Sequence, residues 1–399
     1  MKSDPGADAL AHAPKQKPRE LPRPAGKAPD GPFRADRSRK IATGPAQRSS
    51  LTRAAALVEA GLAPQDRLAG LERVGKRYAI AITPAVAALI DRGDARDPIA
   101  RQFVPDAAEL EPGPQDLADP IGDRAHSPLE GLVHRYPDRA LVKLVSICPV
   151  YCRFCFRREM IGPKGSGTLS REAIDAILGY LGERPDIWEV IFSGGDPFIL
   201  SARRLREVVT RFAEIPHIKV MRWHTRVPVV APGRIDAALV RALKSGGKAV
   251  FVALHANHPR ELTGEARAAC ARLIDAGIPM LSQTVLLKGV NDDDATLAEL
   301  MRAFVETRIR PYYLHHLDQA PGTAHLRVSI ERGQELMRAL RGRLSGLCQP
   351  SYVLDIPGGH GKSPIGPSYL AKSDRAPNNG QQAWTVEDFT GAPHSYRAD

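Results

Sequence analysis

The chain has little cysteine, only 5 in 399 residues. That count rules out a disulfide framework and makes a reducing cytoplasm the expected setting. It has no apolar run long enough for a membrane span. The first twenty residues, MKSDPGADALAHAPKQKPRE, lack the hydrophobic stretch of a secretory leader. Three cysteines lie within CPVYCRFC, yet no second CxxC and no HxxxH accompanies them. A structural zinc site would lack its second ligand pair.

The net charge is +11, which raises the question of nucleic acid. Much of it sits in residues 1–50, where eleven Lys and Arg face five Asp and Glu. That stretch is rich in Pro, Ala and Gly and shows no sustained apolar period. It reads as a solvated, disordered tail, and no nucleic-acid partner is expected. From Leu51 the pattern changes. LTRAAALVEAGLAP and TPAVAALIDRGD predict short amphipathic helices in an N-terminal extension reaching residue 130.

Beyond it, strand-like and helix-like segments alternate. Strands are expected at 140–147, 188–195, 218–226, 248–256, 279–287, 310–318 and 350–356. Helices are expected at 171–183, 201–215, 233–246, 261–277, 294–306 and 329–344. Six βα units and a closing strand imply an α/β fold with a parallel sheet covered by helices. Periodicity alone leaves a partial barrel and an open doubly wound sheet both standing. Residues 371–399 are expected to form a C-terminal tail. Polar residues stand at most of the strand ends: Cys148, Ser193, His224, His255, Asp318 and Asp355. In parallel α/β folds sites form at the carboxyl ends of strands, so one shared site is the economical reading.

Cys148, Cys152 and Cys155 follow the first strand as CxxxCxxC. Three thiolates suit a [4Fe–4S] cluster with one iron left open. Cys270 and Cys348 lie among apolar neighbours and read as buried small side chains. CxxxCxxC after a first strand resembles the radical S-adenosylmethionine (SAM) superfamily. In that superfamily the open iron binds SAM, and an electron from the cluster cleaves it to a 5′-deoxyadenosyl radical. Ser193-Gly194-Gly195-Asp196 resembles the turn that receives the SAM amino group.

DIPGGHGKSPIGP (355–367) holds a lysine in a glycine run. A phosphate loop of the form GxxxxGK[ST] would need glycine where Ile356 stands, and SPIGPSYL cannot open a helix. The alternative is a lysine presented to pyridoxal 5′-phosphate (PLP) as a Schiff base.

With HRYPDRA (134–140), CPVYCRFCFRR (148–158), SGGDP (193–197), HTRVPVV (224–230), LHANHP (254–259), QTVLLKGVND (283–292), RPYYLHHLD (310–318) and DIPGGHGK (355–362) in this order, the chain resembles the lysine 2,3-aminomutase family over residues 110–370. The resemblance implies a partial (β/α)₆ barrel of the radical SAM type over 131–370, with a [4Fe–4S] cluster, SAM and PLP. It implies an isomerase that interconverts L-lysine and β-lysine by radical 1,2-amino migration. Lys362 would be the PLP lysine, with Arg135, Tyr136 and Arg139 near the phosphate. Arg157 would take the substrate α-carboxylate, and Asp318 and Asp355 its ε-ammonium. Ser193, Gly194, Gly195, Asp196, His255 and Gln283 would line the SAM site. A reductant such as flavodoxin or ferredoxin and a homo-oligomer are further implications.

The chain departs from the family pattern in three places. Asp293 stands where relatives often carry a zinc cysteine and no cysteine follows Cys348, so no zinc is expected. The lysine loop reads GGHGK, which puts His360 beside the cofactor. RREMIGP replaces a more basic run. Two alternatives within the class fit the same residues: an aminomutase acting on arginine or another diamino acid, or one making β-lysine for elongation factor P. Outside the class stand an RNA-modifying radical SAM enzyme and a non-catalytic iron–sulfur protein.

Overall fold

The computed structural model describes residues 49–162, 167–372 and 383–397. The tail expected over 1–50 lies almost wholly outside these residues. A nine-stranded sheet runs in sequence order. Its central strands are β2 (Arg139–Val145), β3 (Glu189–Gly194), β4 (Val220–Thr225), β5 (Ala249–His255), β6 (Met280–Val285), β7 (Ile309–His315) and β8 (Ser351–Asp355). All six pairings from β2 to β8 are parallel. These are the six units and closing strand that the alternation predicts, and the sheet curls into a half-barrel. At each edge an antiparallel strand is added: β1 (Leu132–Tyr136) beside β2 and β9 (Lys362–Pro364) beside β8. Neither edge strand is foreseen by the alternation, because each is short and one holds a proline.

Side chains alternate across the strands, as a period of two requires. Phe192 of β3 and Trp223 of β4 face outward and stack at 4.2 Å under the helices. The covering helices are amphipathic and start where the sequence supplies a cap. Ser170, Ser201, Asp236, Thr263, Asp293 and Ser329 each accept a backbone N–H of the first turn. Asp293 is thus a helix cap in this chain.

The N-terminal extension holds the expected helices, shortened to Ala54–Glu59 and Pro84–Leu89, and a further one at Leu68–Arg77. In place of a C-terminal tail, Leu370–Lys372, Ala383–Glu387 and Pro393–Arg397 pair as a small antiparallel sheet. One face carries Leu370, Trp384, Val386 and Tyr396 beside Lys372 and His394, but strands of three to five residues are too short for that alternation to stand out in the sequence.

Candidate active site

All sixteen residues singled out from the sequence line one cavity of about 710 Å³ inside the half-barrel. The inward positions of the strands supply most of the wall, so the two-residue period brings residues from separate strands together.

The cysteine loop is clamped from two sides. Gly195 N–H donates to Val145 O at 2.6 Å and Asp196 N–H to Ile147 O at 3.0 Å. A Cβ at Gly194 would stand 2.3 Å from Val145 O, and one at Gly195 2.2 Å from Ile147 O. These glycines are therefore required by the close approach of two loops within the protein. On the other side, the N-terminal extension accepts backbone N–H groups of the loop, Tyr151 to Ala81 O and Arg153 to Gln102 O. Buried Glu109 receives both Arg153 and Arg158. Burial opposes its ionisation, but the two guanidinium groups outweigh burial and lower its pKa.

The three thiols share the cavity and remain unpaired. Burial raises the pKa of each, that of Cys152 to about 11. Bound iron would remove those protons. Among the described residues no three His, Cys, Asp or Glu side chains converge on a single ion. A four-iron cluster asks for something else, one thiolate on each of three irons. The donor set, the confined loop and an N–H aimed at a sulfur, from Arg226 to Cys152 Sγ at 3.6 Å, fit such a cluster.

Asp196 already has partners. It accepts from Thr225 Oγ1 and Arg226 N at 2.7 Å and from Phe198 N at 3.0 Å. Burial raises its pKa despite these bonds. Arg157 is buried, with Nη2 on Asp123 Oδ2 at 3.1 Å and Nη1 on Ser193 Oγ at 3.3 Å. Arg135 reaches the other oxygen of Asp123 at 3.2 Å, and its Nε is buried without a partner. Asp123 therefore links the two arginines expected to meet anions. No sequence pattern pointed to it, since it lies in an aperiodic segment.

Lys362 stands on β9 opposite Asp355. Its Nζ lies 2.6 and 2.5 Å from the Asp355 oxygens, and its N–H donates to Tyr136 O–H at 2.8 Å. The glycine run lets the loop press against residues 119–126. A Cβ at Gly122 would meet Gly359 N at 2.2 Å, and His126 Nε2 bonds Gly359 O at 2.9 Å. His360 is exposed and points away from the lining. Arg139 pairs with Asp138 at 2.6 Å and lies over the Tyr136 ring. The lysine ammonium on a carboxylate and the orphaned Arg135 donor suit a carbonyl cofactor with an anionic group.

Asp318 faces Asp355 across the same wall. Burial first, then the Asp355 charge, pushes Asp318 up to about 7. His224 and His315 enter the cavity with Nε2 atoms that have no partner. Burial, then nearby Arg222, lowers His224 well below its ordinary value. His255 lies 5.8 Å from His224 between ring centroids, and Gln283 neighbours it on β6.

A parallel half-barrel with three cysteines on the loop after its first parallel strand defines the radical SAM class, and residues 142–301 match the Radical SAM superfamily. The chain is 40% identical to L-lysine 2,3-aminomutase of Clostridium subterminale over 75% of its own length and 72% of the relative's. It is 41% identical to L-lysine 2,3-aminomutase of Acetoanaerobium sticklandii, over 77% and 74%. It is 36% identical to glutamate 2,3-aminomutase of Clostridioides difficile, over 75% and 70%. The chain belongs to the lysine 2,3-aminomutase family and is an isomerase of the aminomutase kind.

Proposed function

We propose that the chain interconverts L-lysine and β-lysine, holding a [4Fe–4S] cluster on Cys148, Cys152 and Cys155, SAM beside them, and PLP on Lys362. The observation that carries the substrate choice is the carboxylate pair. Asp355 already binds a primary ammonium, that of Lys362, and Asp318 faces it. Once Lys362 is committed to the cofactor, the two carboxylates need another cation, and the ε-ammonium of lysine supplies one. A glutamate side chain would bring a further negative charge to the same wall and be repelled. Relatives of both kinds exist, so the pair rather than the family decides.

When bound, the cluster and SAM supply a hydrogen-abstracting 5′-deoxyadenosyl radical, and PLP holds the migrating nitrogen. The chain's part is to position. Arg157 offers a guanidinium edge to the α-carboxylate, with Asp123 and Ser193 fixing its plane. Arg135 and Tyr136 stand beside Lys362 to receive the cofactor's phosphate, with Arg139 stacked on the Tyr136 ring. His255 and Gln283 line the SAM side. The half-barrel wall confines the reacting carbons. The free thiols suit a reducing cytoplasm, and the cluster needs a low-potential electron donor of the flavodoxin or ferredoxin kind.

The test is anaerobically reconstituted protein with PLP, SAM, a low-potential reductant and L-lysine, followed by chromatography for β-lysine. Wild type should form it and Lys362→Ala should not. Cleaved SAM and bound PLP with unchanged lysine would overturn the substrate; supplying arginine, ornithine and glutamate then finds the replacement. Failure to bind PLP would overturn the aminomutase reading for this chain.

A further inference from the structure

Arg226 follows β4 and is buried, yet the anion-binding roles above leave it without a task. Its Nη1 lies 3.6 Å from Cys152 Sγ. Its Nη2 donates to Glu261 Oε2 and to Gln102 Oε1, each at 2.6 Å. The Phe103 and Phe154 rings cover it at 4.9 and 5.3 Å. Glu261 is itself held, accepting from Asn257 N at 2.8 Å, His258 N at 3.0 Å and Gln102 Nε2 at 3.2 Å. The guanidinium therefore cannot swing away, and a guanidinium keeps its protons at any working pH. Its N–H is delivered to one of the three cysteine sulfurs.

We propose that Arg226 is a positioning residue for the iron–sulfur cluster, whose fixed Nη1–H on Cys152 Sγ raises the cluster's reduction potential. The inference rests on the cluster reading above. Reduction adds an electron to the cluster and places more negative charge on its sulfurs. A hydrogen bond to one of them then favours the reduced form. Glu261 offsets the cation's charge, so the directed N–H acts more than the bulk field does. Gln102 comes from the N-terminal extension, which gives that extension a part in electron uptake as well as in packing.

The test is a potentiometric titration followed by electron paramagnetic resonance, on reconstituted full-length protein without SAM. Removing Arg226 alone would strand the Glu261 carboxylate, so the variant is the charge-balanced pair R226M/E261Q. It should retain wild-type iron content and show a more negative midpoint. The same iron content with an unchanged or more positive midpoint overturns the proposal. E261Q alone keeps the donor and removes its counter-charge, so its midpoint should move positive; a negative shift there also overturns it. A wild type that takes up no iron would sink the cluster reading and this inference together, a result distinct from an intact cluster with an unmoved midpoint.

Discussion

Asp318 and Asp355 share a wall but differ in charge state. Burial opposes the ionisation of Asp355, but His315 and Lys362 outweigh it and hold that carboxyl below the usual range. At Asp318 burial and the Asp355 charge outweigh Lys362 and Arg157, and the carboxyl is pushed up to about 7. At neutral pH the pair carries between one and two negative charges. A substrate ammonium arriving between them should expel the remaining proton. Binding of L-lysine near pH 6.5 should therefore release protons, read by calorimetry in buffers of different ionisation enthalpy. Asp318→Asn should abolish the release and weaken binding ~10-fold or more, the equivalent of ~1.4 kcal/mol. The same group affects stability in a defined sense. Its folded pKa lies above the unfolded value, so its contribution is fullest at low pH and is lost as pH rises towards 7. The melting-temperature advantage of wild type over Asp318→Asn should shrink across that window.

At the scale of elements, the cysteine loop and the lysine loop are each held by a segment from the N-terminal extension. Among the described residues Glu109 is the one carboxylate paired with Arg153 and Arg158, and all three are buried. Glu109→Gln leaves two buried cations unpaired and should cost about 3–5 kcal/mol in a urea melt. The lysine loop meets residues 119–126 so closely that a Cβ at Gly122 would lie 2.2 Å from Gly359 N. Gly122 also has φ of 67°. Gly122→Ala should thus push the lysine loop outward, cutting PLP uptake, read by cofactor absorbance, while the barrel's circular dichroism survives. The seven parallel strands and their helices were legible because buried β-branched runs and Ser, Thr or Asp caps mark them locally. The cysteines and Lys362 stood out by spacing. The segments that hold them did not, since Asp123, Gln102 and Glu109 act through partners distant in sequence, in stretches without a period. Asp196 and the two glycines before it were visible as a turn, yet their bonds to the cysteine loop and β4 exist only in the folded chain.

Across the whole molecule, the half-barrel brings its two edge strands together over the site. Tyr136 of β1 accepts the N–H of Lys362 on β9, and Arg135 stands 4.0 Å from Asp355. The cavity so closed concentrates arginines, and burial disfavours protonation of the histidines among them. Burial lowers His224, His255 and His315, with Arg226 the next cause at His255. His255 is held near 3. Unfolded histidines take up protons below ~6.5, while burial makes protonation of these folded ones harder. Their depressed folded pKa values make the native state lose stability as pH falls from about 6.5. Asp318 and Asp196, whose carboxyls are raised, oppose this trend, but the lowered Glu109 and Asp123 carboxyls act with the three histidines and outnumber them. The chain without cofactors should therefore melt at lower temperature at pH 5 than at pH 7, by scanning calorimetry. His255→Gln should flatten that dependence and Asp318→Asn should steepen it. A wild-type melting temperature that rises on acidification would mean that the cavity histidines are hydrated and charged, and that the barrel admits water to the site it is built to keep dry.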